Sequence, residues 1–276
     1  MKQTILIFIL AFLTTTCGDR PNVSDDHSPI LKDSLTANSD IQPQAKKPDD
    51  WSAYYYCDNL DTAIKYFDKV HHLSLRNYDI KTLPIEITKL SKVEDIGFYW
   101  CKNFNWSDVF TKVSKINTLK GIEISECCVK KLPKEIGKLK QITRFFCGRD
   151  TCLTNIPKEI SNLEALTDLS FWGDFQVFPR QILGIKNLSN LNLSFCNLNE
   201  LPEDIDKLEN LDTLELYANN LKTFPKNIVN MKNLRLIYFD ENPIKDSLKY
   251  IGKLKEKLPN CAVMNYTTPF CANSRR

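Results

Sequence analysis

The chain repeats itself. Aligned on apolar positions, residues 70–259 divide into eight units beginning at Val70, Val93, Leu119, Ile142, Leu166, Leu188, Leu211 and Leu234, spaced by 23, 26, 23, 24, 22, 23 and 23 residues. A sustained period of this size marks an architecture made by stacking one small unit, and this takes precedence over any element-by-element reading. The unit is plainest over 211–233, where Leu211, Leu214 and Leu216 are followed by Asn219, Leu221, Phe224-Pro225, Ile228 and Met231. Six units carry proline in the same slot, within one residue: Pro84, Pro133, Pro157, Pro179, Pro202 and Pro225.

The opening Leu-x-x-Leu-x-Leu has apolar residues at positions 4 and 6, so alternate side chains of a short strand point inward. The residue before each proline is pushed out of helical geometry, and proline suits the start of a helical turn. Each unit therefore reads as strand, turn, helical turn, turn. One unit cannot hide its own leucines, whereas a stack buries a continuous core. Position 9 lies where the chain leaves the strand, and an inward side chain there can satisfy backbone groups of adjacent turns. It is occupied by Tyr78, Cys101, Cys127, Asp150, Asp174, Cys196, Asn219 and Asn242, so the ladder is regular only toward the C-terminus. The second unit departs from the rest. Its 26 residues lack the Leu-Pro and carry Phe104, Trp106 and Phe110 instead, which reads as a bulge in the outer wall or a partner-contacting loop.

These units resemble the leucine-rich repeat family, in particular its 23-residue L-P-x-x-I class (plant-intracellular-Ras-group-like) common in bacteria. The resemblance implies an α/β solenoid, a right-handed horseshoe with a parallel concave sheet and short helical or irregular convex segments. Family members prefer Asn or Cys at position 9 and commonly bind partners on the concave wall. Stack ends need covers. Residues 51–69 read as an N-terminal helical cap, with Asp58-Asn59-Leu60-Asp61 leading into Ala63, Ile64, Phe67 and Val70. Leu248, Ile251 and Leu254 continue the last unit as a longer helix, and 260–276 form the C-terminal cap and tail.

Residues 1–17 read as a secretion signal: Lys2, then nine unbroken apolar residues from Ile5 to Leu13, about half of what a spanning helix needs. The run into Cys17 resembles a bacterial lipoprotein signal, with Thr14 where that signal usually has Leu. The resemblance implies acylation of Cys17, a lipid anchor, and display on the cell envelope. Residues 18–50 scatter Pro21, Pro29, Pro43 and Pro48 among polar residues and read as a disordered tether. Secretion makes disulfides permissible among the other nine cysteines. Neighbouring strands lie about 4.8 Å apart, inside the Cα window a bridge requires. Cys128 and Cys152 match that requirement once a one-residue insertion is allowed for, and Cys101 and Cys127 match it at the inward slot. Cys261–Cys271 is a further candidate in the C-terminal cap, and Cys147 and Cys196 are expected to be buried thiols.

No phosphate loop, nucleophile elbow, zinc-protease helix or C-x-x-C occurs, so neither an enzyme, a metal nor a cofactor is expected. His71 and His72 are consecutive in a predicted strand and should diverge. What the register does offer is the outward wall at positions 2, 3, 5, 7 and 8. It collects Tyr99, Trp100, Phe146, Trp172, Phe195, Tyr217 and Tyr238. Rigid aromatics of this kind are enriched at interface hot spots. The wall carries nine acidic and five basic residues, near −4, while residues 51–276 carry about +5. This disfavours a nucleic acid in the concavity. The expectation is a non-enzymatic binding module for protein or peptide. A polysaccharide ligand on the same face, or a structural spacer lipoprotein, are the rivals.

Overall fold

The computed structural model of the chain describes residues 56–149, 152–245 and 247–264. Cys17, the tether, Asp150 and Cys271 lie outside the described residues. Ten strands form one parallel sheet in chain order: β1 (Tyr56–Cys57), β2 (His72–Arg76), β3 (Asp95–Tyr99), β4 (Gly121–Ser125), β5 (Arg144–Gly148), β6 (Asp168–Phe171), β7 (Asn190–Asn192), β8 (Thr213–Glu215), β9 (Leu236–Tyr238) and β10 (Ala262–Met264). The strands of all eight units, β2 to β9, begin at position 3. Leu169, Leu191, Leu214 and Ile237 are direct partners along the ladder, and none is more than 2% exposed. The stacked leucines therefore make one core that runs the length of the sheet.

Return segments follow from the Pro-x-x-Ile spacing. In each of the six units the proline carbonyl accepts from the amide of the isoleucine three residues on, as in Ile136 N to Pro133 O at 3.1 Å and Ile182 N to Pro179 O at 3.0 Å. Proline supplies an acceptor and a pre-set φ, and the isoleucine closes a single tight turn with its side chain buried. The second unit lacks this proline and forms a longer helix, α2 (Trp106–Val113). Asn105 caps it by accepting from Ser107 and Asp108 amides. Its aromatics turn inward: Trp106 and Phe104 pack edge-on against Phe98, and Phe110 against Phe145. The extra residues thus build core, not an outward loop.

At the N-terminal end, α1 (Leu60–Lys65) is capped by Asn59, whose side chain accepts from Thr62 N at 2.8 Å. It buries Leu60 and Ala63, while Phe67, expected on the same inner face, lies beyond the helix end and is exposed. At the other end α3 (Ser247–Lys257) buries Leu254 before the chain enters β10.

Where the chain leaves each strand, a left-handed residue reverses the in–out alternation. Position 8 has positive φ in seven of the eight units: Asn77, Trp100, Glu126, Arg149, Phe195, Ala218 and Glu241, between 53° and 69°. Continued alternation would put position 8 inside, after 4 and 6. The left-handed kink keeps it outside and turns position 9 in. Asn219 shows the result. Its Oδ1 accepts from Cys196 N at 3.2 Å and Leu198 N at 2.9 Å, and its Nδ2 donates to Leu193 O and Leu216 O. Asn242 does the same one unit later. Where cysteine stands, the thiol donates instead: Cys196 to Phe171 O at 3.2 Å, Cys127 to Ser125 O at 3.2 Å. Burial pushes the Cys196 thiol up to about 12, so it stays protonated as a donor.

Tyr78 is not a failure of this ladder but its termination. Its hydroxyl accepts from Leu60 N at 2.8 Å and so ties the first unit to the cap helix. The fifth unit does break the rule. Gly173 at position 8 is buried without a left-handed φ, and Asp174 stays half-exposed, accepting from Asn197 Nδ2 at 3.1 Å. A second ladder went unread in the sequence: Asn187, Asn210 and Asn233, each just before a repeat's first leucine, donate to Glu164 O, Lys186 O and Glu209 O of the preceding unit at 2.8–2.9 Å.

Replacing Asn219 by alanine strips partners from two buried amides and should cost about 3 kcal/mol. Urea denaturation measures this, and a loss below about 1 kcal/mol would show that the amide ladder contributes little.

Candidate functional site

All seven aromatic residues read from the register lie on the outward side of the sheet or at its edge, and they divide into two groups. Five form an unbroken row across units four to eight. Phe146 meets Trp172 with ring centroids 6.0 Å apart, Trp172 meets Phe195 at 5.0 Å, Phe195 meets Tyr217 at 5.2 Å and Tyr217 meets Tyr238 at 5.5 Å. The first three contacts are steeply inclined, at 74°, 52° and 75°, and only the last is stacked, at 11°. The rings stand at positions 5, 7, 8, 7 and 5 of their units and not in one register column, as Phe146 is the ladder partner of Ser170 and Tyr238 that of Glu215. With neighbouring strands about 4.8 Å apart, side chains of this size still meet across the diagonal.

Tyr99 and Trp100 stand apart from the row. The Arg76 guanidinium lies 4.5 Å from the Tyr99 ring centroid and 5.8 Å from that of Trp100. Tyr99 donates from its hydroxyl to Glu123 Oε2 at 2.8 Å, and Trp100 Nε1 donates to Glu126 Oε2 at 2.5 Å. Burial, with the Glu123 carboxylate close by, raises the Tyr99 pKa well above its ordinary value. The third unit carries Glu123 and Ser125 outward where the row would need rings, and Ser125 Oγ holds Glu123 Oε1 at 2.9 Å. The break between the groups is therefore a hydrogen-bonded polar unit.

Glycines seat these rings, and sequence reasoning missed them. A Cβ on Gly97 would fall 2.5 Å from Tyr99 Cε2, and one on Gly148 would fall 2.7 Å from Trp172 Cβ. Gly121 does the same for charge. Its absent side chain lets Asp95 of the second unit meet Arg144 of the fourth at 2.6 Å, since a Cβ there would lie 1.9 Å from Asp95 Oδ1. His72 Nδ1 sits 3.1 Å from the same carboxylate. The available signal was glycine at an outward strand position, where a β-former is the usual choice.

Trp100 and Phe195 both occupy the left-handed slot, with φ of 57°, and are 40% and 42% exposed. Bulky residues rarely adopt this conformation, which costs roughly 1–2 kcal/mol for an L-residue. In the row, Glu215 accepts from Asn192 Nδ2 at 2.8 Å, and burial holds its pKa above the ordinary carboxylate value. Among the described residues no group of three or more His, Cys, Asp or Glu is placed to hold a metal ion.

Cys128 and Cys152 are bridged, with Cα atoms 5.1 Å apart, and this disulfide ties the third unit to the fourth. The other equivalent pair is not bridged: Cys101 and Cys127 are buried thiols, with Cys101 N donating to Cys127 Sγ at 3.3 Å. Cys147, Cys196 and Cys261 are likewise buried thiols, as is Cys57, whose Sγ donates to Asn59 O. The partner suggested for Cys261, Cys271, lies outside the described residues.

The left-handed strain has a clean test. Phe195→Ala loses the ring and keeps the strain, while Phe195→Gly loses both, so the glycine variant should be the more stable by about 1 kcal/mol. Chemical denaturation of the two gives the difference; an alanine variant as stable as the glycine one would mean that no strain is stored at position 8.

No protein-family model matches the chain, and no curated protein matches it in sequence. Solved structures do. A leucine-rich repeat protein of Leptospira interrogans is 26% identical, with a TM-score of 0.55 over 74% of this chain and 56% of its own length. The plant peptide hormone receptor RGFR1, in complex with RGF2, is 20% identical, with a TM-score of 0.50 over 71% of this chain. TLR13, in a complex with ssRNA13, is 17% identical, with a TM-score of 0.53 over 75% of this chain. The chain spans 56% of the Leptospira protein's length, 32% of the receptor's and 34% of TLR13's. Register, period and these likenesses agree that the chain folds as a leucine-rich repeat solenoid with a parallel concave sheet.

Proposed function

We propose that this solenoid is a non-enzymatic binding module that holds a protein or peptide on its concave face and is displayed on the cell envelope. The continuous aromatic row from Phe146 to Tyr238 carries this reading. Five rings in mutual contact on one side of a sheet, with Phe195 42% exposed and the other four half-buried, form a continuous aromatic surface of the kind enriched at interfaces. Inclination of the rings supports protein over polysaccharide. Sugar stacking needs open, coplanar faces, whereas three of the four contacts are inclined by 52–75° and present ring edges beside ring faces, an uneven surface better matched by side chains.

A spacer role would make the same rings dispensable for association. The double variant Trp172→Ala/Tyr217→Ala should lose capture of the partner from an envelope extract by at least about tenfold while keeping its melting temperature within a few degrees. Capture that survives in this variant would refute the concave-face reading, and capture abolished only by deglycosylating the extract would favour a polysaccharide.

The envelope address rests on the N-terminal segment. Cys17 as an acylated mature N-terminus would hold the domain at a membrane through its lipid alone, with the proline-scattered tether between. Cys17→Ser should move the protein from the membrane fraction to the soluble one; membrane retention unchanged by this substitution would argue against acylation.

A further inference from the structure

We infer that units five to eight of the concave face take an extended partner segment in which lysine or arginine alternates with apolar side chains. This rests on the reading of the aromatic row as the binding surface and adds the chemistry of what lies on it. The observation is a split in charge between the two halves of the wall. Outward positions of units one to four carry Glu94, Asp95, Glu123 and Glu126 against Arg76, Lys120, Arg144 and Arg149, and pairs such as Arg144–Asp95 at 2.6 Å and Lys120–Glu94 at 3.5 Å join them. Units five to eight carry Asp168, Asp212, Glu215, Asp240 and Glu241 against Arg235, whose Nε lies 3.4 Å from Asp212 Oδ2. The whole excess of negative charge on the wall thus falls on the half that holds Trp172, Phe195, Tyr217 and Tyr238.

The hydrogen bonds to Asp168 and Glu215 orient their carboxylates without an ion pair. Asp168 accepts from Asn190 Nδ2 and from Thr167 Oγ1, both at 2.6 Å, and Glu215 accepts from Asn192 Nδ2 at 2.8 Å. Amide and hydroxyl donors fix the direction of the oxygens and leave the charge in place. Tyr217 registers the resulting field: burial first, then the charges of Glu241 and Asp240, raise its pKa.

Carboxylates and ring faces agree in what they attract. The face of an aromatic ring carries negative quadrupole, so a cation beside Tyr217 or Tyr238 gains from ring and carboxylate together. The inclined rings from Trp172 to Tyr217 offer apolar contact instead. A ligand that satisfies both alternates the two kinds of side chain, as an extended strand does. Four units span roughly 14 Å at the strand spacing, which is the length of about four or five extended residues. An acidic peptide, a phosphate or a nucleic acid meets the wrong sign here.

The test is calorimetric titration of the full chain with two short synthetic peptides, one alternating Lys and Leu, the other Glu and Leu. Because the chain carries a net charge of +3, unspecific attraction favours the Glu peptide, opposite to the proposal. The Lys peptide should bind about tenfold more tightly than the Glu peptide or better. Asp212→Asn/Glu215→Gln/Glu241→Gln should abolish that preference, and the exposed change Glu241→Gln, which carries little risk to folding, should reduce it alone. A Lys peptide that binds no better than the Glu peptide, or a preference that survives the triple change, overturns the proposal. Trp172→Ala/Tyr217→Ala separates this failure from that of the underlying reading. Should it weaken both peptides while the carboxylate changes do nothing, the aromatic surface stands and the cationic preference falls; should neither set matter, both readings fall.

Discussion

No coil of this protein can satisfy its own interior. A unit of about 23 residues has too few side chains to enclose its leucines, and its tight turns aim amides and carbonyls inward where water is excluded. The next unit supplies both remedies at once. Leu191 is covered by its ladder partners Leu169 and Leu214, and the amides of Cys196 and Leu198 are met by Asn219 of the following unit. Apolar and polar demands are therefore met by the same neighbour, so the period cannot drift without exposing leucines and orphaning amides together. The 26-residue second unit spends its extra residues on a helix whose aromatics still point inward.

That internal demand decides what is available for function. Positions 4, 6 and 9 are committed to the interior, and the left-handed residue at position 8 makes position 9 reachable. The cost of the kink is borne by residues such as Trp100 and Phe195, which glycine would replace without strain. In the fifth unit glycine does stand at position 8, yet there the kink is missing and the glycine is buried against Leu153 O. Strain at an exposed aromatic and its absence at a glycine are the reverse of what stability alone would select, which is consistent with a surface kept for contact.

Much of this could be read from the period alone. Eight aligned units give the strand positions; alternation then assigns the outward aromatics at positions 5 and 7, and equivalence between units pairs the two cysteines of the disulfide, whereas the outward turn of Trp100 and Phe195 depends on the left-handed residue. What could not be read depends on residues that act by being small or by reaching across units. Gly97 and Gly148 seat Tyr99 and Trp172 only because neighbouring strands bring ring and glycine together, and Gly121 matters because Asp95 and Arg144 meet over it, 49 residues apart in sequence. Tyr78 looked like a defect in the ladder because its partner, the amide of Leu60, belongs to the cap. The phenylalanines and tryptophan of the second unit read as loop or bulge since nothing local tells an inward ring from an outward one when the Leu-Pro marker is gone. Pattern reveals position, and contacts between positions need the stack.

The charge pattern shows the same division at larger scale. Lysines outnumber carboxylates in most return segments, as with Lys130, Lys131, Lys134, Lys138 and Lys140 of the third unit, but the sixth reverses this, with Glu200, Glu203, Asp204, Asp206 and Glu209 against Lys207, while the sheet face is acidic. Net charge averages these away, and +3 for the chain says nothing of a wall near −4. The acidic sheet face thus coexists with return segments that sum to positive charge over the stack, and fields of that kind act over about 8–10 Å at physiological salt. A cationic segment is drawn toward the sheet face of units five to eight, so long-range attraction and short-range ring contact select the same surface. Segregation of this sort needs no added domain. It follows from a repeat whose strand residues and return residues always emerge on different sides, and any substitution at a given position of the unit changes only the side to which that position belongs.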